Sequence, residues 1–231
     1  MPKITDRNGV RALMKRGAQL VEVLPAKEFE AEHISGAINI PLAEVPRRMN
    51  ELDPTSPIIV YCEDYQCDLS PRAAVRLELL GFKDVYDYAA GKVDWKASGL
   101  PTEGKEVDTK TIGRMARRDV PTCRMDERVS DVAERMRATG WDIAVVLAEG
   151  DIVVGEIDRR IAEEHPREDC GNVMKEGPST YRANVPIDEI EPKLKKTDYA
   201  IVSTTSGELL GVFERQQIVE TRREEAMAGS R

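Results

Sequence analysis

A chain of 231 residues with 41% apolar and 33% charged side chains has room for two domains, and enough Leu, Ile and Val to give each an aliphatic core. A net charge of −8 repels nucleic acid and anionic membrane surfaces, so neither is expected as a partner. No apolar run approaches a membrane span and the N-terminus lacks a secretory apolar core, so the expected compartment is the cytoplasm.

In chain order, residues 9–17 read as a short amphipathic helix and 20–24 as a buried strand. Residues 25–34 read as a helical turn or two opened by Pro25, and 35–41 as a turn and short strand. Residues 57–62 form a continuous apolar run that ends on Cys62 and suits a central parallel strand covered on both faces. A helix follows, with Ser70 as its expected N-cap, Pro71 as its first residue, Ala73, Ala74, Leu77 and Leu80 at helical spacing, and Gly81 as its stop. Residues 84–88 form the next strand, and Trp95 is expected to pack in the core. This strand–helix alternation predicts an α/β fold with an open parallel sheet. The polar stretch 101–110 reads as a linker.

Beyond it the chain repeats itself. Met115 falls on Met174, Arg124 on Arg182, Val129 on Ile187, Met136 on Leu194, Ala144-Val145-Val146 on Ala200-Ile201-Val202 and Gly155 on Gly211. Each copy is too small to bury a core alone, so the two are expected to pack together. The domain plan is 1–104, 105–166, 167–222 and a polar tail 223–231.

Cys62, Cys67, Cys123 and Cys170 contain no CxxC pair, and His33 and His165 show no ligand spacing with them. No metal site or stable disulfide is therefore expected. Cys62 ends a buried strand just before a helix, at the sheet edge where open α/β folds place their sites. Loop amides and the helix N-terminus aimed at its sulfur would lower the thiol pKa and stabilise a thiolate or persulfide. Cys67, in the same loop, is read either as a small packed residue or as a resolving cysteine that attacks a Cys62 persulfide. His33 is read as a structural turn residue.

The blocks LVEVLPAKEFEAEHISGAINIPL, IIVYC, RAAVRLELLGFKDVYDY and GKVDWKASGLP resemble rhodanese (sulfurtransferase) domains over roughly residues 8–104. The resemblance implies that Cys62 carries sulfane sulfur as a persulfide, taken from a donor and passed to an acceptor nucleophile, with no cofactor required. The active-site loop is then Glu63, Asp64, Tyr65, Gln66, Cys67 and Asp68. Seven residues separate Cys62 from Ser70 where the family commonly has five, and the loop is acidic, which opposes thiosulfate, a dianion, as donor. Glu22-Val23-Leu24 stands where the family has Asp-Val-Arg, which removes a buried ion-pair partner. A phosphatase of related fold would need Arg where this chain has Asp68.

The repeat resembles a tandem pair of CBS domains over about 108–220, an α+β module. That resemblance implies dimerisation and an adenine-nucleotide or related ligand in clefts between the copies. The family's ribose-binding Ser/Thr and Asp are replaced by Asp158 and Ile161 in the first copy and by Glu214 and Gln217 in the second. Two readings result. One is sulfur transfer through a Cys62 persulfide, regulated through the CBS pair. The alternative is a non-catalytic or redox (Cys62/Cys67) sensor or interaction protein whose CBS pair binds an adenosine ligand or only dimerises.

Overall fold

The computed structural model describes residues 2–108, 110–195 and 197–228. It contains two compact units, Met1–Lys96 with Leu100–Val107, and Ala97–Gly99 with Asp108–Arg231.

The first unit runs β1 (Lys3–Ile4), α1 (Arg7–Lys15), β2 (Gln19–Glu22), α2 (Ala26–Ala31), β3 (His33–Ile34), β4 (Ile38–Asn39), α3 (Val45–Arg48), β5 (Ile58–Tyr61), α4 (Leu69–Leu79), β6 (Val85–Tyr88), α5 (Gly91–Ala97) and β7 (Thr102–Glu103). Five of these strands form a sheet of order β1-β6-β5-β2-β4, parallel at every pairing. The central strand β5 is buried along its whole length, as a parallel strand between two layers must be. Its period of two splits the side chains. Ile58, Val60 and Cys62 join the cluster containing Ala73, Ala74 and Leu77 of α4, while Ile59 and Tyr61 join Val10 and Leu13 of α1 with Tyr88 and Trp95. The same alternation thus turns Cys62 toward α4.

Three local expectations need correction. The first helix begins at Arg7 because Asp6 accepts from the Gly9 amide at 2.7 Å and caps it. Helix α4 begins at Leu69, so Ser70 lies inside its first turn and is not the cap; its hydroxyl is free to face the sulfur instead. The polar stretch after residue 101 does not start as a free linker. Strand β7 pairs antiparallel with β3, and the amides of Lys105 and Glu106 bond back to Glu30 and Ala31. His33 stacks on Phe29 and contacts Glu103 at 3.3 Å. Trp95 is buried, with its Nε1 donating to the Pro101 carbonyl at 2.9 Å.

The second unit runs α6 (Ile112–Met115), β8 (Thr122–Cys123), α7 (Val129–Thr139), β9 (Ile143–Leu147), β10 (Val153–Asp158), α8 (Arg159–Glu164), α9 (Cys170–Val173), β11 (Lys175–Glu176), β12 (Thr180–Tyr181), α10 (Ile187–Ile190), β13 (Tyr199–Ser203), β14 (Leu209–Glu214) and α11 (Arg215–Ala228). Its two sheets, β11-β10-β9-β8 and β12-β13-β14, repeat one pattern: a parallel pair followed by an antiparallel one.

The copies also trade their leading segments. Arg117, which follows α6 in the first copy, bridges to Val212 of β14 in the second. Strand β11, which follows α9 in the second copy, pairs with β10 of the first. The glycines that align between copies explain themselves here. A Cβ on Gly155 would lie 2.3 Å from Met174 Sδ, and one on Gly211, whose φ is +149°, would lie 2.5 Å from the Arg117 carbonyl oxygen. Between the two sheets, Val120, Trp141, Ile143, Val145 and Leu147 pack with Ile201 and Val212. The polar tail expected over 223–231 continues α11 as far as Ala228, and its last three positions lie outside the described residues.

Candidate active site

Cys62 lies at the C-terminal end of β5 and is fully buried. Its sulfur is 3.4 Å from the Cys67 carbonyl oxygen and 3.4 Å from Ser70 Oγ. The expected depression of the thiol pKa is not found. Burial, followed by the Cys67 thiol, pushes Cys62 up to about 11, and the hydroxyl and amide of Ser70 pull it back only in part.

The reason lies in where the loop amides go. Asp64 accepts from the Gln66 amide at 2.9 Å through its side chain and from the Cys67 amide at 3.1 Å through its carbonyl, so both amides close a turn. The loop carbonyls face the start of α5: the amides of Lys92 and Val93 donate to the carbonyls of Cys62 and Glu63, each at 3.0 Å. Gly91, at φ +61°, permits this approach, since a Cβ there would meet the Cys62 carbonyl oxygen at 2.5 Å. Tyr65 is exposed at the loop tip, and Asp68 pairs with Arg72 at 3.4 Å.

Three side chains at this site were not singled out from the sequence for a role in it. Ser70 is fully buried beside the sulfur. Behind it, Asp87 on β6 is buried, with one carboxylate oxygen lacking a hydrogen-bond partner among the described residues. Burial raises the Asp87 pKa, and the Ser70 hydroxyl offsets part of that rise. Cys62, Ser70 and Asp87 are all buried here, and the Ser70 hydroxyl acts on the ionisation of both other groups.

Lys92 is the third, and it corrects the expectation that Glu22 has lost its ion-pair partner. Its Nζ lies 3.3 Å from Glu22, 3.3 Å from Glu63 and 2.8 Å from the Glu32 carbonyl oxygen. The cation now arrives from the start of α5 instead of two residues along β2. Burial raises the Glu22 pKa, while the Tyr61 hydroxyl and Lys92 lower it. The available signal was a lysine just after Gly91, at the start of α5.

In the second unit the four positions matched to the ribose signature are engaged elsewhere. Asp158 caps α8 by accepting from the Ile161 amide at 2.8 Å and pairs with Lys175 at 2.6 Å. Burial opposes its ionisation, but Lys175 and that amide outweigh it and hold the pKa low. Ile161 is core. Glu214 pairs with Arg117 at 2.8 Å, and Gln217 donates to the Met115 carbonyl at 2.6 Å. A cleft of about 500 Å³ between the copies is lined by Asp142, Glu156, Asp158, Asp198 and Glu214, with Arg159, Arg160 and Lys175. Among the described residues, no group of three or more His, Cys, Asp or Glu could hold a metal ion, and no helix is long and apolar enough to cross a membrane.

The family model described as Rhodanese-like domain matches residues 7–98, and that described as CBS domain matches 112–161. The thiosulfate sulfurtransferase GlpE of Coxiella burnetii is 32% identical over 83 residues, which cover 36% of this chain and 76% of GlpE. The HTH-type transcriptional regulator Rv0324 of Mycobacterium tuberculosis is 39% identical over 84 residues, so the chain spans only 37% of that relative's length, and 36% of its own. Among solved structures, the CBS domains of a transcriptional regulator from Streptococcus pneumoniae are similar at 20% identity and a TM-score of 0.45, covering 49% of this chain and 99% of that one.

Proposed function

The chain belongs, over residues 7–98, to the rhodanese-like family, and from that premise we propose that it transfers sulfane sulfur through a persulfide on Cys62. The observation that carries the reading is the position of Cys62: the end of the central parallel strand, under the first turn of α4, with the Ser70 hydroxyl at 3.4 Å. In the loading step the Cys62 thiolate attacks the outer sulfur of a donor persulfide. A new S–S bond forms on Cys62, and the donor leaves as a thiolate. The acceptor nucleophile then takes the outer sulfur and returns the Cys62 thiolate.

A thiol with a pKa near 11 needs a route for its proton. Ser70 and Asp87 supply one, because the raised pKa of Asp87 makes it a stronger base than a surface aspartate. The test is intact-mass measurement after exposure to sulfane-sulfur donors. The wild-type chain gains about 32 Da, one sulfur atom, and Cys62→Ser does not. If no donor produces the adduct, the reading fails.

The full burial of Cys62 and its raised pKa favour a second reading, a domain that binds or senses without turnover. For the second unit, the ion pairs of Asp158 and Glu214 support a structural or dimerising role over adenosine binding at those positions. A thermal shift with adenosine compounds would overturn that assignment.

A further inference from the structure

We propose that Cys67 resolves the Cys62 persulfide, so that the site also reduces sulfane sulfur to sulfide. This inference rests on the persulfide reading above. Two features of the loop point to it. The Asp64 turn folds the chain back until the Cys67 carbonyl oxygen is 3.4 Å from the Cys62 sulfur. The Cys67 side chain then packs, half-buried, on the same cluster of side chains as Cys62, and its thiol acts on the ionisation of Cys62. The remaining thiols, Cys123 and Cys170, sit in the core of the second unit and are no part of the site.

The step balances without an outside oxidant. The Cys67 sulfur attacks the inner sulfur of the Cys62 persulfide, and a Cys62–Cys67 S–S bond forms as the bond to the outer sulfur breaks. The outer sulfur leaves with the electron pair as hydrosulfide, carrying the proton released by the Cys67 thiol. Two cysteine thiols have been oxidised to a disulfide, and one sulfane sulfur has been reduced to sulfide. A dithiol reductant then returns the pair to thiols.

The experiment loads the full chain with glutathione persulfide, a donor that leaves as glutathione, and removes small molecules at once. Sulfide release and the mass of the tryptic peptide 49–72, which carries both cysteines, are then followed without added reductant. The wild-type chain is expected to release about one sulfide per chain while this peptide ends about 2 Da lighter than its reduced form. Cys67→Ser and Cys67→Ala are expected to keep the added 32 Da or so and release no sulfide until a thiol is supplied. Retention of the adduct by the wild type for as long as by both variants would overturn the inference and leave sulfur transfer standing. No adduct and no sulfide from any of the three chains would instead overturn the persulfide reading itself.

Discussion

The state of the Cys62 thiol gives the sharpest test of the site. With a pKa of about 11, roughly one Cys62 in ten thousand is a thiolate at pH 7, against roughly one in a hundred for a cysteine at its ordinary value of 9.0. Burial also slows any reagent, but access multiplies the rate at every pH and leaves the inflection where it is. Iodoacetamide labelling of Cys62, read by peptide mapping, should therefore climb about tenfold per pH unit through pH 9.5 without levelling. Ser70→Ala removes the hydroxyl that lowers this pKa. A hydrogen bond to a charged group contributes about 1.5–3 kcal/mol, so the labelling rate at a given pH should fall by roughly ten- to a hundredfold. The same shift has a consequence for folding. A thiol whose folded-state pKa is raised stabilises the fold fully below its ordinary value of 9.0, and that contribution is lost as pH rises through about 11. An inflection at or below pH 9 in the wild type, or a Ser70→Ala profile that overlays it, would refute the reasoning.

The remaining predictions concern buried charge and the exchanged segment. Lys92→Met leaves the fully buried Glu22 without its cation and should cost the first unit about 3–5 kcal/mol at pH 8, read by urea unfolding with hydrogen exchange at β5. The loss should shrink as pH falls, since burial already raises the Glu22 pKa, and Glu22→Gln with Lys92→Met should recover most of it. Arg117→Ala removes a cation 4.3 Å from the centre of the Trp141 ring and a partner of Glu214, and should cost about 1–2 kcal/mol by Trp141 fluorescence in urea. Arg124→Ala, whose partner Asp151 is largely exposed, should cost less than about 1 kcal/mol; equal losses would remove any special role for the exchanged segment.

The sheet was legible because its signals are local. The buried run ending at Cys62 has a periodicity that assigns alternate residues to opposite layers, and the observed clusters follow it. The pairing of the repeats was legible too, since neither copy carries enough apolar surface to stand alone. The details that decide chemistry were not legible. Ser70 satisfies every local preference for an N-cap, yet the helix starts two residues earlier and the Ser70 hydroxyl faces the sulfur. Lys92 lies 70 residues from Glu22 along the chain, and no local pattern couples two positions so far apart. The exchange of α6 and α9 is hidden for the same reason. The alignment finds Met115 and Met174 equivalent but cannot say that each segment lies on the other copy's sheet.

The charge of the site can now be argued from partners instead of composition. Glu63 shares Lys92 with Glu22, Asp68 faces Arg72, and Asp64 is spent on the turn. Among these residues four carboxylates meet two cations, a net of two negative charges. Neither cation is left over for a substrate. Thiosulfate would bring two more negative charges to this surface, whereas the sulfur group of an alkyl persulfide brings at most one. Under the proposed function, the loop would select donors by charge at the approach, and the buried Ser70 and Asp87 would act afterwards, on the proton of Cys62. On this account, neutralising the exposed Glu63 should ease thiosulfate loading while leaving persulfide loading nearly as it was. Equal effects on both donors would mean that the loop's charge does not choose the substrate.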